Sequence, residues 1–245
     1  MRFIADALLL VAMLAPLVAL ALWTTRNSEP RWAVLFLALL LFDTLITPLE
    51  YILGVHPPGL QWNWTGKVLS IAWALAFVRW GPLTTREVGL TLRQRPGSMV
   101  PAVLLTAAVI VIPVLLGAGG QRAGAETLLY QATMPGLAEE LAMRGVFLAL
   151  LYRAFGGAPR PEPASGRAPD GWDARLWPIL ITSLAFGLWH GVAIRNGQVT
   201  LDAIAFLLPF AGGVAFAWLR VRTGSLLFPI LAHNGANLVA YLVPG

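Results

Sequence analysis

The sequence predicts an all-α fold, a polytopic bundle of about eight transmembrane helices, and three observations lead to it. Of the 245 residues, 58% are hydrophobic and only 12% are charged, whereas a soluble domain carries about 25% charged residues. The mean hydropathy is +0.72. Apolar runs recur along the whole chain, and they lack the period-2 alternation of barrel strands. Lipid is therefore the expected solvent for much of the surface.

Eight apolar stretches predict the individual helices, since a span needs roughly 20 mostly apolar residues. In chain order they are approximately Phe3–Trp23, Trp32–Leu53, Lys67–Trp80, Met99–Gly117, Thr127–Leu151, Trp177–Ala193, Leu201–Leu219 and Leu226–Val243. The third is short unless it begins near Trp62, and Trp62 and Trp64 suit an interfacial belt. Because no long polar stretch divides these spans, residues 1–245 are expected to form one transmembrane domain.

One polar segment departs from this pattern. Residues 156–175 read GGAPRPEPASGRAPDGWDAR and are rich in Pro, Gly and Arg. Such a composition is typical of a flexible loop, and we expect this loop in the cytoplasm.

The basic residues predict the orientation of the bundle. Sixteen of the seventeen are Arg, and most lie in short loops between apolar runs. With eight spans, the odd-numbered loops carry twelve of them and the even-numbered loops carry Lys67, Arg122 and Arg195. The positive-inside bias then places the odd loops in the cytoplasm and both termini outside. This pattern argues against nucleic acid as a partner, although the sequence pI is near 10.4.

Three of the predicted spans contain polar groups that are costly in a bilayer. A charged side chain at the centre of a span costs at least about 2.5–3.5 kcal/mol on insertion scales. The fifth span holds Glu139, Glu140 and Arg144, the sixth holds His190, and the eighth holds His233 and Asn237. We expect these three spans to converge around one hydrated chamber.

Helix geometry gives the two adjacent carboxylates different surroundings. Glu140 and Arg144 are four residues apart and share a face, so they can pair. Glu139 lies about 100° around the helix and is expected to point into the chamber. Separated environments for two carboxylates are typical of acid–base catalysis. Each of these polar groups, taken alone, can equally be structural.

The remaining polar groups and motifs carry less weight. The chain has no HExxH helix and no GxSxG motif, which argues against the usual zinc peptidases and serine hydrolases. Ser225 lacks an evident base, and His56 lies in a Pro-Pro loop that we expect at the surface. Asp43 and Glu50 are expected either to be structural or to line the chamber. The absence of cysteine excludes disulfides and thiolate metal sites.

The ordered motifs resemble those of a known protease family. Residues 139–144 read EExxxR, residues 186–190 read FxxxH, and residues 233–237 read HxxxN. With Thr223–Pro229 and Glu87–Leu90, this set resembles the CAAX protease and bacteriocin-processing (CPBP, or Abi) family of intramembrane proteases. The resemblance covers a core of about residues 65–245, and it leaves residues 1–64 as two spans that vary within the family.

The resemblance implies endoproteolysis of a membrane-associated protein or peptide, at a site that opens towards the cytoplasm or laterally. It implies that Glu139 activates a water molecule and that His190 holds the water or the base in position. It implies further that His233 and Asn237 stabilise the oxyanion. Glu140, Arg144 and Phe186 are implied to support these groups.

Several alternatives remain open at the level of sequence. Glu139, His190 and His233 suit a three-ligand site for a divalent metal such as zinc, and they equally suit a metal-free, glutamate-activated water. A non-catalytic immunity or scaffold protein, or an ion-coupled transporter, are the rival functions. The expected partners are membrane lipid and a peptide or membrane-protein substrate. The preference for Arg over Lys favours the cytoplasmic (inner) membrane of a bacterium, and the oligomeric state is not predicted.

Overall fold

The computed structural model describes residues 2–25, 28–115, 123–156 and 173–242, and in these ranges the fold is all-α apart from one short hairpin. The helices are α1 (Arg2–Thr24), α2 (Pro30–Ile46), α3 (Leu49–Leu53), α4 (Trp64–Trp80), α5 (Thr85–Val88), α6 (Met99–Leu115), α7 (Ala125–Glu140), a π-helical segment (Leu141–Phe147), α8 (Leu148–Ala154), α9 (Asp173–Gly191), α10 (Ala203–Thr223) and α11 (Leu227–Leu242). Strands β1 (Val192–Arg195) and β2 (Gln198–Leu201) pair antiparallel, with Val192 opposite Leu201 and Arg195 opposite Gln198.

Each of the eight predicted stretches consists mainly of helix where the structure describes it, and local signals fix several of the boundaries. Residues 116–117 and 243, at the ends of the fourth and eighth stretches, lie outside the described residues. Asn63 caps α4 by accepting a hydrogen bond from the Gly66 N–H, and Asp202 caps α10 by accepting from Ile204 and Ala205. The second stretch divides into α2 and α3 near Pro48, because proline has no N–H to continue the helical ladder.

Two elements were not predicted. Helix α5 is a single turn held by a capping box between Thr84 and Glu87. The hairpin of β1 and β2 turns at Asn196 and Gly197, which both have positive φ, as a tight hairpin turn requires. Of the predicted loop at residues 156–175, Asp173–Arg175 belong to α9 and residues 157–172 lie outside the described residues.

The predicted number of spans is not confirmed. In the described ranges, Arg2–Thr24 and Ala203–Thr223 are long and apolar enough to cross a membrane, and Met99–Ile112 and Leu176–Gly191 are shorter apolar helices. Helices α2, α4 and α6 have 17 residues each, which is about 25 Å at 1.5 Å per residue. The hydrocarbon core of a bilayer is about 30 Å thick, so these helices fall short of it by length alone.

Contacts between the connecting segments sort them into two ends of the bundle. We call the first the Arg-rich end. There the backbone N–H of Glu29 donates to the Ala154 carbonyl, Arg153 forms an ion pair with Glu87, and the backbone N–H of Arg95 donates to the Thr223 carbonyl. At the second, which we call the hairpin end, β1 meets α1 and the segment before α4 meets α7. These contacts join Ile194 to Asp6, Trp62 to Thr127 and Trp64 to Glu126, at 2.7, 3.0 and 2.7 Å.

The core is built around the continuous rod formed by α7, the π-helical segment and α8. All residues from Ala138 to Tyr152 are buried, and the other long helices pack around them. On the outside, large hydrophobic side chains of α1, α6 and α10 are exposed; examples are Ile4, Leu8, Val100, Leu104, Ile112, Ile204 and Leu208. Exposed apolar area on this scale marks a surface that is covered by an apolar partner, and lipid supplies it.

Candidate active site

The π-helical segment carries the acidic motif. Glu139 and Glu140 end α7, and Arg144 lies inside the segment Leu141–Phe147. A π-helical turn is rare and occurs mostly at functional sites, because it changes which side chains share a face. Pro135 stands one turn earlier and cannot donate a backbone hydrogen bond. The helix type thus changes directly after the carboxylates, and Pro135 leaves one backbone hydrogen bond unmade before them.

Glu140 holds two partners in the interior of the bundle. Its Oε1 lies 3.2 Å from Nη1 of Arg144 and 2.8 Å from Nδ1 of His233. Glu140 and Arg144 are both fully buried. The predicted pair of Glu140 with Arg144 is present, and the carboxylate also links α7 to α11 through the imidazole.

Glu139 has a partner that the sequence did not predict. Its Oε1 lies 2.5 Å from Nζ of Lys67 on α4, while its Oε2 has no hydrogen-bond partner among the described residues and lies 3.8 Å from Nε2 of His233. Both Lys67 and Glu139 are buried, with 8% and 7% of their surface exposed. The placement of Lys67 among the loop residues was therefore wrong: it lies inside α4 and faces the site.

His190 lies in the last turn of α9, and its ring borders the cavity described below. Its Nδ1 lies 2.8 Å from the carbonyl oxygen of Phe186, one helical turn earlier. A carbonyl only accepts, so Nδ1 donates and Nε2 is free to act in the cavity. His190 also borders a second cavity, of about 310 Å³, between α1, α9 and β1, which explains why the residue is exposed at the end of a packed helix.

One cavity collects the four side chains that the motifs singled out. Its volume is about 630 Å³, and Glu139, His190, His233 and Asn237 all line it. The remaining wall is mostly apolar. It consists of Trp62, Lys67, Val109, Ile112, Tyr130, Gln131, Pro135, Phe186, Leu208, Pro209, Gly212, Phe216 and Ala236.

Aromatic rings hold the charged groups in place. Phe186 lies under the guanidinium of Arg144 at 4.5 Å and packs edge-on to His190 and His233. Phe216 stacks on the ring of His233 with a centroid distance of 5.1 Å and lies 5.4 Å from the same guanidinium. Phe186 thus contacts His190 and His233, two of the groups that it was predicted to support, and also Arg144.

The residues considered as a metal site do not fit one. In the part of the chain that the structure describes, no group of three or more His, Asp or Glu side chains has a geometry that holds a metal ion. Moreover, the ammonium of Lys67 occupies the Oε1 of Glu139 that a divalent ion would need. The proposed reaction therefore has no step at a metal ion.

The other polar groups considered at the sequence level have structural partners. Asp43 accepts hydrogen bonds from Ser70 and Trp73 at 2.6 Å each and so joins α2 to α4. Glu50 is buried and bonds to His56 at 2.8 Å, which leaves His56 half-buried. Ser225 donates to the carbonyl of Thr91, at the Arg-rich end of the bundle.

Sequence reasoning missed Lys67, Phe216 and Asn234. Asn234 accepts from the Gly136 N–H at 2.7 Å and donates to the Thr133 carbonyl, which fixes α11 against α7. Only Lys67 had a signal that was available in advance, because it is the single lysine among seventeen basic residues. Nothing in the periodicity distinguishes Phe216 or Asn234 from ordinary packing residues.

Comparison with known proteins identifies one family. Residues 122–239 match the model of a family described as type II CAAX prenyl endopeptidase Rce1-like, and this segment contains all of the motif residues from Glu139 to Asn237. No curated protein and no solved structure matches the chain. The match confirms the family resemblance of the motifs and favours neither rival function. Together with the apolar helices, it indicates an integral membrane protein.

Proposed function

From the premise that this chain belongs, through residues 122–239, to the Rce1-like family of type II CAAX prenyl endopeptidases, we propose that it is an intramembrane endopeptidase. Its substrate is a peptide bond in a membrane-associated protein or peptide. The observation that carries the proposal is the environment of Glu139. One carboxylate oxygen pairs with Lys67, and the other has no hydrogen-bond partner among the described residues and lies beside His233.

Glu139 is the general base of the proposed reaction. A water molecule hydrogen-bonded to its Oε2 lies within reach of a substrate carbonyl in the cavity. The carboxylate takes a proton from this water as the oxygen attacks the carbonyl carbon. A general base positioned in this way contributes about 10²–10⁴-fold to the rate.

His190 and Asn237 complete the polar lining of the cavity. The hydrogen bond from Nδ1 of His190 to the Phe186 carbonyl leaves Nε2 as an acceptor in the neutral ring, so this atom can hold the second hydrogen of the attacking water. The amide of Asn237 supplies N–H donors for the oxyanion. Donors that are fixed in a water-poor cavity stabilise such a charge strongly, because they need no reorganisation.

His233 is the second donor to the oxyanion in the proposed reaction. Its Nδ1 is bonded to the carboxylate of Glu140, which accepts only, and its Nε2 lies towards Glu139. Nε2 donates to the oxyanion when it carries a hydrogen. When the tetrahedral intermediate collapses, the proton collected by Glu139 passes to the leaving amine, so that protons balance over one cycle.

The cavity fits an apolar stretch of peptide, and the proposed direction of approach differs from the sequence expectation. Its wall includes Val109, Ile112, Leu208 and Phe216, which suit extended apolar side chains. Trp62 and Tyr130 belong to the hairpin end of the bundle, where few arginines lie. We therefore place the mouth at that end or between α6 and α10, away from the Arg-rich cytoplasmic end of a multi-pass bacterial inner-membrane protein.

The direct test is Glu139→Gln, which keeps shape and removes the base. We expect purified E139Q in detergent or liposomes to lose about 10³-fold in kcat on a peptide that the wild type cleaves. The matched control is Glu126→Gln on the same helix, which bonds to Trp64 and does not line the cavity. Wild-type turnover by E139Q would remove Glu139 from the reaction.

A further inference from the structure

We propose that Lys67 is a positioning residue of the site, which holds Glu139 by one oxygen and leaves the other oxygen free for the reaction. This inference rests on the endopeptidase function proposed above. It concerns a residue that lies outside the matched segment 122–239 and 72 positions before Glu139 in the chain.

The geometry places Lys67 where it can have this role. Asn63 caps α4 and sets the direction of its first turn, and Lys67 follows one turn later with its ammonium 2.5 Å from Oε1 of Glu139. The indole of Trp189 lies 5.6 Å from Nζ and limits the movement of the side chain. Lys67 also borders the main cavity beside Glu139 and His190.

The charges of the site explain why a cation is needed there. Glu139 and Glu140 are adjacent buried carboxylates, and a buried charge is costly unless it is paired. Among the described residues Arg144 forms an ion pair with Glu140, and Lys67 is the cation that pairs with Glu139. Without Lys67, Glu139 has no permanently charged partner, which favours its protonated, inactive form.

The other titratable groups near Glu139 come from every helix that packs on it. His190 faces it from α9 and His233 from α11, while Asp43 on α2 and Tyr130 on its own helix lie farther away. Neither histidine carries a permanent charge, so neither replaces the ammonium across the whole pH range.

The choice of lysine over arginine supports the same role. The chain uses arginine at sixteen of its seventeen basic positions, and only this one is lysine. The guanidinium of arginine binds a carboxylate through two parallel hydrogen bonds, whereas the ammonium of lysine acts as a point charge. An arginine at position 67 would therefore engage both oxygens of Glu139 and cover the Oε2 that the reaction needs.

Two variants at position 67 separate positioning from simple structural support. Lys67→Met removes the charge and keeps most of the volume. We expect K67M to lose about 10²-fold in kcat with little change in KM, and the acidic limb of its pH–rate profile to move to higher pH. K67R is expected to keep the melting temperature of the wild type and still lose at least about tenfold in kcat, because it covers the second oxygen.

A stability cycle tests the pair without any substrate. K67M is expected to lower the melting temperature, and the double variant K67M/E139Q to regain most of the loss, because the neutral amide needs no counter-ion. If the effects of K67M and E139Q on the melting temperature simply add, the two groups are not coupled and the proposal is overturned.

Chemical rescue gives the most specific result. In Lys67→Ala, a small alkylammonium ion such as methylammonium can enter the space left by the side chain. We expect it to restore part of the kcat of K67A, and sodium chloride at the same ionic strength to restore none.

The outcomes for Lys67 and for the proposed function are distinct. If K67M has the kcat and pH profile of the wild type, only the role of Lys67 is overturned. If E139Q retains full turnover while the stability cycle shows coupling, Glu139 is not the general base and the positioning role falls with it, although the ion pair stands. If the wild type cleaves no peptide while the cycle shows coupling, the endopeptidase function fails.

Discussion

At the scale of single residues, the reactive atom of each active-site imidazole is set by what the other nitrogen contacts. Nδ1 of His233 meets a carboxylate and Nδ1 of His190 meets a backbone carbonyl. Both partners only accept hydrogen bonds, so both rings carry hydrogen on Nδ1 and turn Nε2 towards the cavity. In the proposed reaction, Glu140 therefore acts through the ring of His233 and does not touch the substrate.

We expect Glu140→Gln to lower kcat by about 10²-fold or more, because a carboxylate that orients an imidazole and stabilises its imidazolium has effects up to about 10⁴-fold in serine proteases. The chain has only three histidines, so nitrogen NMR of ¹⁵N-histidine-labelled protein can read which ring nitrogens of His233 carry hydrogen. An unchanged pattern of hydrogens combined with unchanged turnover would contradict this role.

Two neighbouring glycines of α10 provide a matched pair for packing at Arg144. A Cβ at Gly213 would lie 2.8 Å from Nη2 of Arg144, whereas at Gly212 the nearest atom, on Phe216, is 3.5 Å away. We expect Gly213→Ala to destabilise the protein by about 1–3 kcal/mol, as overpacking does, and Gly212→Ala to have a much smaller effect. Unfolding in detergent measures both; equal losses would show that Arg144 is not tightly enclosed.

At the scale of elements, the interruption of the central rod is the feature that organises the site. A regular α-helix through residues 125–154 would bring Glu140 and Arg144 to one face, as the sequence suggested. In the structure, the π-helical turn adds a residue at this point. One turn earlier, Pro135 has no backbone N–H to donate within the helix. Periodicity at 3.6 residues predicts the pair, but it contains no signal for the local change in helix type.

The segment between α3 and α4 contains a pH-sensitive bond. The Leu60 carbonyl and the Glu50 carboxylate raise the pKa of His56 above its ordinary 6.5, because both accept and only the imidazolium donates from both ring nitrogens. A raised folded-state pKa contributes stability that is complete below the unfolded pKa and is lost as pH rises through the folded one.

We therefore expect residues 54–63 to become less protected as pH rises from about 6.5 through the raised pKa of His56. Hydrogen exchange of this segment, corrected for the intrinsic pH dependence, measures the change. His56→Gln should remove the dependence while leaving α9 and α11 unaffected. Equal pH dependence in wild type and H56Q would assign the effect to another group.

At the scale of the whole molecule, the two ends of the bundle differ in charge and in access to the cavity. The Arg-rich end contains Arg153, Arg220 and the segment around Leu92, while the cavity is lined by Trp62 from the other end, where we propose its mouth. Since arginine-rich connections stay in the cytoplasm, substrate is expected to approach from the opposite face of the membrane or from within the bilayer.

Single cysteines test this orientation, because the chain has none of its own. Leu92 is 81% exposed at the Arg-rich end, and Gln198 is exposed in the hairpin. In intact cells we expect a membrane-impermeant maleimide to label Gln198→Cys and to spare Leu92→Cys until the membrane is permeabilised. The reverse pattern would place the mouth of the cavity in the cytoplasm.

Much of this architecture could be predicted from sequence, for identifiable reasons. Apolar runs marked the helices because burial or lipid contact needs length, and Glu139, His190, His233 and Asn237 were apparent because polar groups are costly there. The hairpin was missed because its strands have only four residues each, although Asn196–Gly197 is a typical pair for a hairpin turn. Lys67 was missed because a lysine at the start of an apolar run reads as a topology signal, and its partner is distant in the chain.

The solitary lysine has a practical consequence. Acylating reagents that act on primary amines find a single side-chain target in this protein, and its nucleophilicity is suppressed while it is bound to Glu139. Occupancy of the cavity should shield the amine further, whereas a disturbed carboxylate should release it. Mass spectrometry of a briefly acylated sample can thus report ligand capture in native membranes, with no engineered label and no known substrate.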